Sequence, residues 1–240
     1  MAIDTPKGKV IWREDFLGDA LNGDVSVATV SSGGTAAITA VQNDGTIQLT
    51  TDGTDEDAAL YCGLLNWRCS DGALRLEARV KISVITTARM FVGLSDATTE
   101  TDLLPMHIST GTTWVTTATD AIGFCYSTDA TTPGITCFWV AGGTDCSAYT
   151  LANLRLSPLL LPIADTYYTY ILELQDRGSG YSPSANFMVV DNNGVAYTKS
   201  FTTSLTRTTP FCPAIGHQNS TATAHTTTID YVEVSKSRGT

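Results

Sequence analysis

The sequence predicts an all-β fold, a jelly-roll sandwich of two antiparallel sheets. Three observations carry this. Residues 72–82 alternate strictly, with Leu74, Leu76, Ala78, Val80 and Ile82 set against Arg75, Glu77, Arg79 and Lys81. Successive side chains of a strand point to opposite faces, so this segment has one buried and one wet face; a helix would scatter the same apolar residues around its circumference. Short apolar runs also recur between turn signals, about fourteen of them, the count of two packed sheets. Finally, threonine, glycine, alanine and serine dominate, only 16% of residues are charged, and no Glu/Lys/Leu-rich helical block occurs. Half-buried strands joined by small polar turns have that composition.

The elements follow in order. The first strand is 10–16, ending at Leu17-Gly18-Asp19. Segments 24–30, 35–41 and 46–51 come next, the last two separated by the turn Asn43-Asp44-Gly45. Strand 58–62 precedes a loop around Asn66 and Trp67, and 89–95 follows the strand at 72–82. Segment 97–119 has weak periodicity, and loops of that length usually carry function or contacts. Segments 121–127 and 135–140 read as a strand pair, 167–175 alternates again, and 186–190 with 195–201 forms a hairpin across Asp191-Asn192-Asn193-Gly194. Segments 212–217 and 226–234 close the fold. The core expected from these patterns is Phe16, Leu74, Leu76, Val80, Phe91, Leu94, Phe124, Leu172, Leu174, Val189 and Val232.

The 240 residues are expected to form one domain, 1–240, with an extended N-terminal segment at 1–8; a chain of this length buries a sizeable core without metals or disulfides. The formal net charge of -10, with no basic cluster, argues against nucleic acid as a partner. The longest apolar run, Leu159-Leu160-Leu161-Pro162-Ile163, is too short to span a bilayer, so no membrane partner is expected. The start lacks a basic segment followed by an apolar one, so synthesis in the cytoplasm is expected, with Cys62, Cys69, Cys125, Cys137, Cys146 and Cys212 mostly reduced. Neither the cysteine spacing nor the three histidines match a zinc module. The acidic run Asp52-Gly53-Thr54-Asp55-Glu56-Asp57 lacks the calcium-loop spacing and reads as a solvated turn. No cofactor is expected.

Two resemblances refine this picture. The opening Trp12-Arg13-Glu14-Asp15-Phe16 with Gly18, the strand Glu77-Ala78-Arg79-Val80-Lys81, and the ending Ile229-Asp230-Tyr231-Val232-Glu233-Val234 resemble strands of laminarinase-type glycoside hydrolases and laminin-G-type modules. They imply a concanavalin-like jelly roll. Phe91-Val92-Gly93-Leu94-Ser95-Asp96, Asp120-Ala121-Ile122-Gly123-Phe124-Cys125-Tyr126, Leu172-Glu173-Leu174 and Ile229-Asp230-Tyr231-Val232 are similar to virion proteins of tailed bacteriophages, in which a jelly roll decorates the capsid or a head fibre.

The hydrolase resemblance does not extend to chemistry. Retaining glycosidases need two carboxyls about 5–5.5 Å apart, which the laminarinase family supplies from E-x-D-x-x-E. The nearest match is Glu100-Thr101-Asp102-Leu103-Leu104-Pro105, where proline stands in place of the second glutamate. No other catalytic motif appears, and the expectation is no enzyme and no catalytic residue.

The phage resemblance implies a virion structural protein, a capsid decoration or cement subunit that binds the major capsid protein or other virion subunits, as a homo-oligomer. Its contact residues would be Leu103, Leu104, Met106, Ile108 and Trp114, the apolar residues of 97–119. The alternative is a carbohydrate-binding module of a tail fibre or glycan-binding protein, with glycan stacking on Trp67, Trp114 and Trp139; a laminarinase-like glycoside hydrolase ranks third.

Overall fold

The computed structural model describes residues 8–18, 20–21, 26–31, 33–39, 45–55, 57–70, 72–97 and 104–237. The first seven residues of the expected N-terminal extension lie outside them. Seventeen strands occur among the described residues: β1 (Lys9–Glu14), β2 (Ser26–Val30), β3 (Thr35–Thr39), β4 (Thr46–Thr50), β5 (Ala58–Gly63), β6 (Ala73–Ile82), β7 (Ala88–Ser95), β8 (Met106–Thr110), β9 (Thr113–Thr116), β10 (Ala121–Ser127), β11 (Thr136–Ala141), β12 (Thr144–Asp145), β13 (Tyr168–Gln175), β14 (Ser184–Val190), β15 (Ala196–Thr202), β16 (Cys212–Asn219) and β17 (Thr226–Ser237). One helical turn, α1 (Leu151–Leu154), follows β12.

The strands form two large antiparallel sheets. One runs β15-β14-β13-β6-β17-β4-β3, and β1 also pairs with β17. The other runs β12-β11-β10-β7-β16-β5-β2. Strand β17 serves two neighbours along one edge, Thr226–Ile229 meeting β4 and Val232–Ser237 meeting β1. Its register against β6 shifts between Ile229 and Tyr231. The bulged residue, Asp230, turns its carboxylate to Arg79 of β6.

Strand β6 alternates half-buried and buried residues along its length, as its sequence period demands. Its buried residues meet Leu172 and Leu174 of β13 and Val232 and Val234 of β17 on the inner face. Its polar residues lie on the outer face. There Arg75 contacts Glu77 at 2.5 Å and Glu173 at 3.4 Å, and the Tyr231 hydroxyl donates to Glu77 Oε1 at 2.6 Å. These half-exposed pairs order the face and add little stability each. All eleven core residues expected from the sequence are buried.

The seven-stranded sheet differs: β5, β7, β10 and β16 are buried at every residue. Phe124 of β10 points inward, edge-on to Tyr170 and Phe187 of the opposite sheet, so its neighbours Gly123 and Cys125 point outward. The outer face also carries Phe91, paired with Cys125, and Phe138, paired with Gly123. Gly93 and Gly123 pair directly, and the Phe91 ring lies over both: a Cβ on either would come 2.9 Å from it.

That apolar outer face needs a cover, and segment 104–119 provides it. Strands β8 and β9 pair as a hairpin. Ser127 Oγ donates to the carbonyl of Ile108 at 2.8 Å, and Trp114 stacks on Phe138 at 3.7 Å between centroids. The expectation of an exposed contact loop is therefore corrected. Leu104, Met106 and Ile108 are buried at 0%, 0% and 1% exposure, Trp114 is half-buried, and Leu103 lies outside the described residues. The apolar residues cover the protein's own sheet because that sheet has no wet face.

The glycine pair generates a prediction. In Gly123→Ala the new Cβ would meet the carbonyl oxygen of Val92 at 2.5 Å and Gly93 Cα at 2.8 Å. Overpacking against backbone is expected to destabilise the variant by about 1–3 kcal/mol in urea denaturation. An unchanged midpoint would show that the outer face is not closely covered.

Candidate functional site

The three tryptophans expected to bind sugar do not assemble into one platform. Phe138 and Trp139 are neighbours on β11, so their side chains point to opposite faces. Trp114 therefore lies outside the seven-stranded sheet on Phe138, with one ring face occupied. Trp139 lies inside, against Tyr149 and Phe201, its indole N–H donating to Ser204 Oγ at 3.1 Å. Trp67 follows β5, its backbone locked to Phe211 by two hydrogen bonds of 3.0 and 2.7 Å.

Trp67 has a different companion. A groove of about 350 Å³ is lined by Val10, Trp12, Leu64, Asn66, Trp67 and Lys236. Val10 and Trp12 come from β1 and Lys236 from β17, on the eight-stranded sheet; the other three come from the connection after β5, on the seven-stranded sheet. The groove thus lies at an end of the sandwich where the two sheets part. Trp12 spans the gap, so close to Gly63 that a Cβ there would lie 2.9 Å from its Cη2. Val10 and Leu64 are exposed at 42% and 37%, unusual for aliphatic side chains beside a core. Trp67 is 6% exposed, and its indole N–H is buried without an acceptor among the described residues. A buried donor without a partner is uncommon in a folded protein. The sequence pointed to Trp67; it did not signal Trp12 and Lys236 as site residues, because β1 and β17 meet only through long-range pairing.

A second polar cluster lies wholly inside the sandwich. His217 Nδ1 is 2.9 Å from Thr227 Oγ1 and its Nε2 3.4 Å from Thr51 Oγ1. Thr51 Oγ1 donates to Asn219 Oδ1 at 2.8 Å, and Asn219 Nδ2 donates to the carbonyl of Thr54 at 2.9 Å. His225 Nε2 lies 2.6 Å from the carbonyl of Thr87, an acceptor, so this nitrogen carries the proton. The cluster ties the 51–57 turn to β16 and β17. In that turn Asp52 accepts from the backbone N–H of Thr54 at 2.8 Å. Asp52 and Asp57 share a hydrogen bond that lowers the pKa of Asp52 and raises that of Asp57. One carboxyl of the pair thus holds its proton more readily. No group of three or more His, Cys, Asp or Glu arranged to hold a metal occurs among the described residues.

The remaining sites expected from the sequence are accounted for briefly. Glu100 and Asp102 lie outside the described residues, while Pro105 is buried just ahead of β8. All six cysteines are buried, and desolvation pushes the thiols of Cys69 and Cys146 up to about 11 and about 12. All six pack as small apolar groups, and burial also pushes the thiols of Cys125 and Cys137 up.

No family model and no curated protein sequence matches the chain. Solved structures match over nearly its full length. Peanut lectin shares 12% identity at a TM-score of 0.59, covering 95% of this chain and 97% of its own. Lectin I from Ulex europaeus, solved with the methyl glycoside of α-L-fucose, shares 11% at 0.59, covering 95% and 98%. A Shewanella oneidensis MR-1 protein of unknown function shares 15% at 0.57, covering 97% and 88%. At these identities the likeness establishes the fold alone: a concanavalin-like jelly roll.

Two predictions follow from these environments. Trp67→Phe removes an unsatisfied buried donor, whereas Trp139→Phe removes one that is hydrogen-bonded to Ser204. Urea denaturation should show the Trp139 variant losing about 1 kcal/mol more than the Trp67 variant; equal losses would mean that the Trp67 N–H has an acceptor in solution. The second concerns pH. Burial, then the neighbouring His225, pushes His217 down to about 3, below the ordinary value of about 6.5. As pH falls below about 6.5 the unfolded chain takes up this proton first, so stability drops by up to about 1.4 kcal/mol per pH unit until the folded histidine also titrates. His107, down to about 4 through burial and then Arg89, acts in the same direction. His217→Asn should flatten the fall in unfolding free energy between pH 6.5 and 4.5 by about 1 kcal/mol per unit. A slope matching the wild type would overturn the assignment.

Proposed function

We propose that the protein is a glycan-binding domain that works without turnover, holding a sugar in the groove between Trp12 and Trp67. The observation that carries this reading is the groove's chemistry. Two indoles and two aliphatic side chains offer flat apolar surface, and the Asn66 amide offers both a donor and an acceptor. Small-molecule sites combine largely apolar walls with a few polar groups, and this groove lies near the small end of their size range. Sugars present that combination in reverse, with C–H faces for the rings and hydroxyls for the amide. The lectins among the structural neighbours support the same class of ligand.

The capsid-decoration reading rests on sequence resemblance alone. Of the residues expected to make its contacts, Leu104, Met106, Ile108 and Trp114 cover the protein's own sheet instead.

A glycan array probed with the wild type and with Trp12→Ala tests the proposal. The wild type should bind a restricted set of glycans. Loss of one indole should weaken binding about thirty-fold, the size of a tryptophan hot spot of about 2 kcal/mol, with the circular dichroism spectrum unchanged. A wild type that binds no glycan, or a folded Trp12 variant with unaltered binding, would overturn it.

A further inference from the structure

We propose that the groove selects sugars bearing a carboxylate and that Lys236 holds the anion; this rests on the glycan-binding reading. Strand β17 places Val232 and Val234 on the inner face, both fully buried, and period two continues that face to Lys236. The register agrees: Lys236 pairs with Leu74, a core residue of β6, and with Val10 of the groove wall. A lysine on the core-facing side of a strand is rare without a purpose for its charge. Here Lys236 lines the groove together with Trp12 and Trp67.

Among the described residues, Lys236 takes part in no ion pair and no Asp or Glu lines the groove. In a chain of net charge -10, a recess whose described lining holds a cation and no acid runs against the overall charge balance. The outer face of the eight-stranded sheet shows the contrast, since Arg13, Arg75, Arg79 and Lys81 each meet a carboxylate there. A charge beside apolar walls is partly desolvated, and an incoming anion relieves that cost while gaining a stronger attraction than in open water. A hydroxyl-only sugar uses the indoles and Asn66 but leaves the ammonium unanswered. The carboxylate could belong to a hexuronic acid or to a sialic acid.

The experiment measures binding by calorimetry of trigalacturonate, its methyl ester, sialyllactose and lactose to the wild type, Lys236→Met and Trp12→Ala. Lys236→Met keeps the aliphatic stem and removes the charge; Lys236→Gln is a second replacement should it fail to fold. The wild type is expected to bind an acidic sugar at least tenfold more tightly than its neutral counterpart. The preference should shrink as salt is added and vanish in the Lys236 variants, which still bind the neutral sugar. Preference in the uronate or the sialate pair meets the proposal and names the source. Equal binding of acid and neutral forms by the wild type, or a preference that survives loss of Lys236, overturns it while the glycan-binding reading stands. Failure of the wild type to bind any sugar in these and the array measurements overturns both.

Discussion

The seven-stranded sheet has no wet face, and the rest of the molecule is arranged around that constraint. Its inner face packs on the other sheet through Phe124, Tyr170 and Phe187. Its outer face carries Phe91 laid across a glycine pair, with Phe138 and Cys125 beside it. Leaving that surface in water would forfeit the apolar burial that stabilises β sandwiches. The β8–β9 hairpin closes it, and with it the broad sheet surface on which a sandwich could receive a ligand. The groove lies instead at an end of the structure, where the sheets part between β1 and the connection after β5.

The two sheets treat charge differently. The outer face of the eight-stranded sheet presents Arg79 to Asp230 at the β17 bulge and Arg75 to two glutamates, so its cations are locally neutralised. Lys236 belongs to the same sheet on its opposite side, past the point where the core ends. There it lines the groove together with Trp12, which is half-buried and reaches over to Gly63 of the other sheet.

Much of this was legible in the sequence. The alternation at 74–82 and 168–174 placed inside and outside correctly, because a strand with one wet face displays its period in polarity. The strand pair at 121–140 and the hairpin at 186–201 were visible for their turns. The hairpin at 106–116 was not. Its register shifts between Ile108 and Thr110, and it covers a sheet at an angle to no simple polarity pattern. Its apolar residues therefore read as a contact surface, when the partner was the protein's own β10 and β11. For the groove, Trp67 was legible as an aromatic in a loop. Trp12 appeared only as part of an opening strand, and Lys236 not at all, since neither carries a local signal of the other.

The pairing of β1 with β17 has a consequence for biosynthesis. The groove draws on strands near opposite ends of the described sequence, so its walls cannot come together on a nascent chain until β17 has left the ribosome. Contacts of such long range are also slow to form, because loop closure precedes any gain from them. The groove is thereby restricted to fully made, fully closed molecules, and a fragment or trapped folding intermediate that retains most of both sheets would lack it.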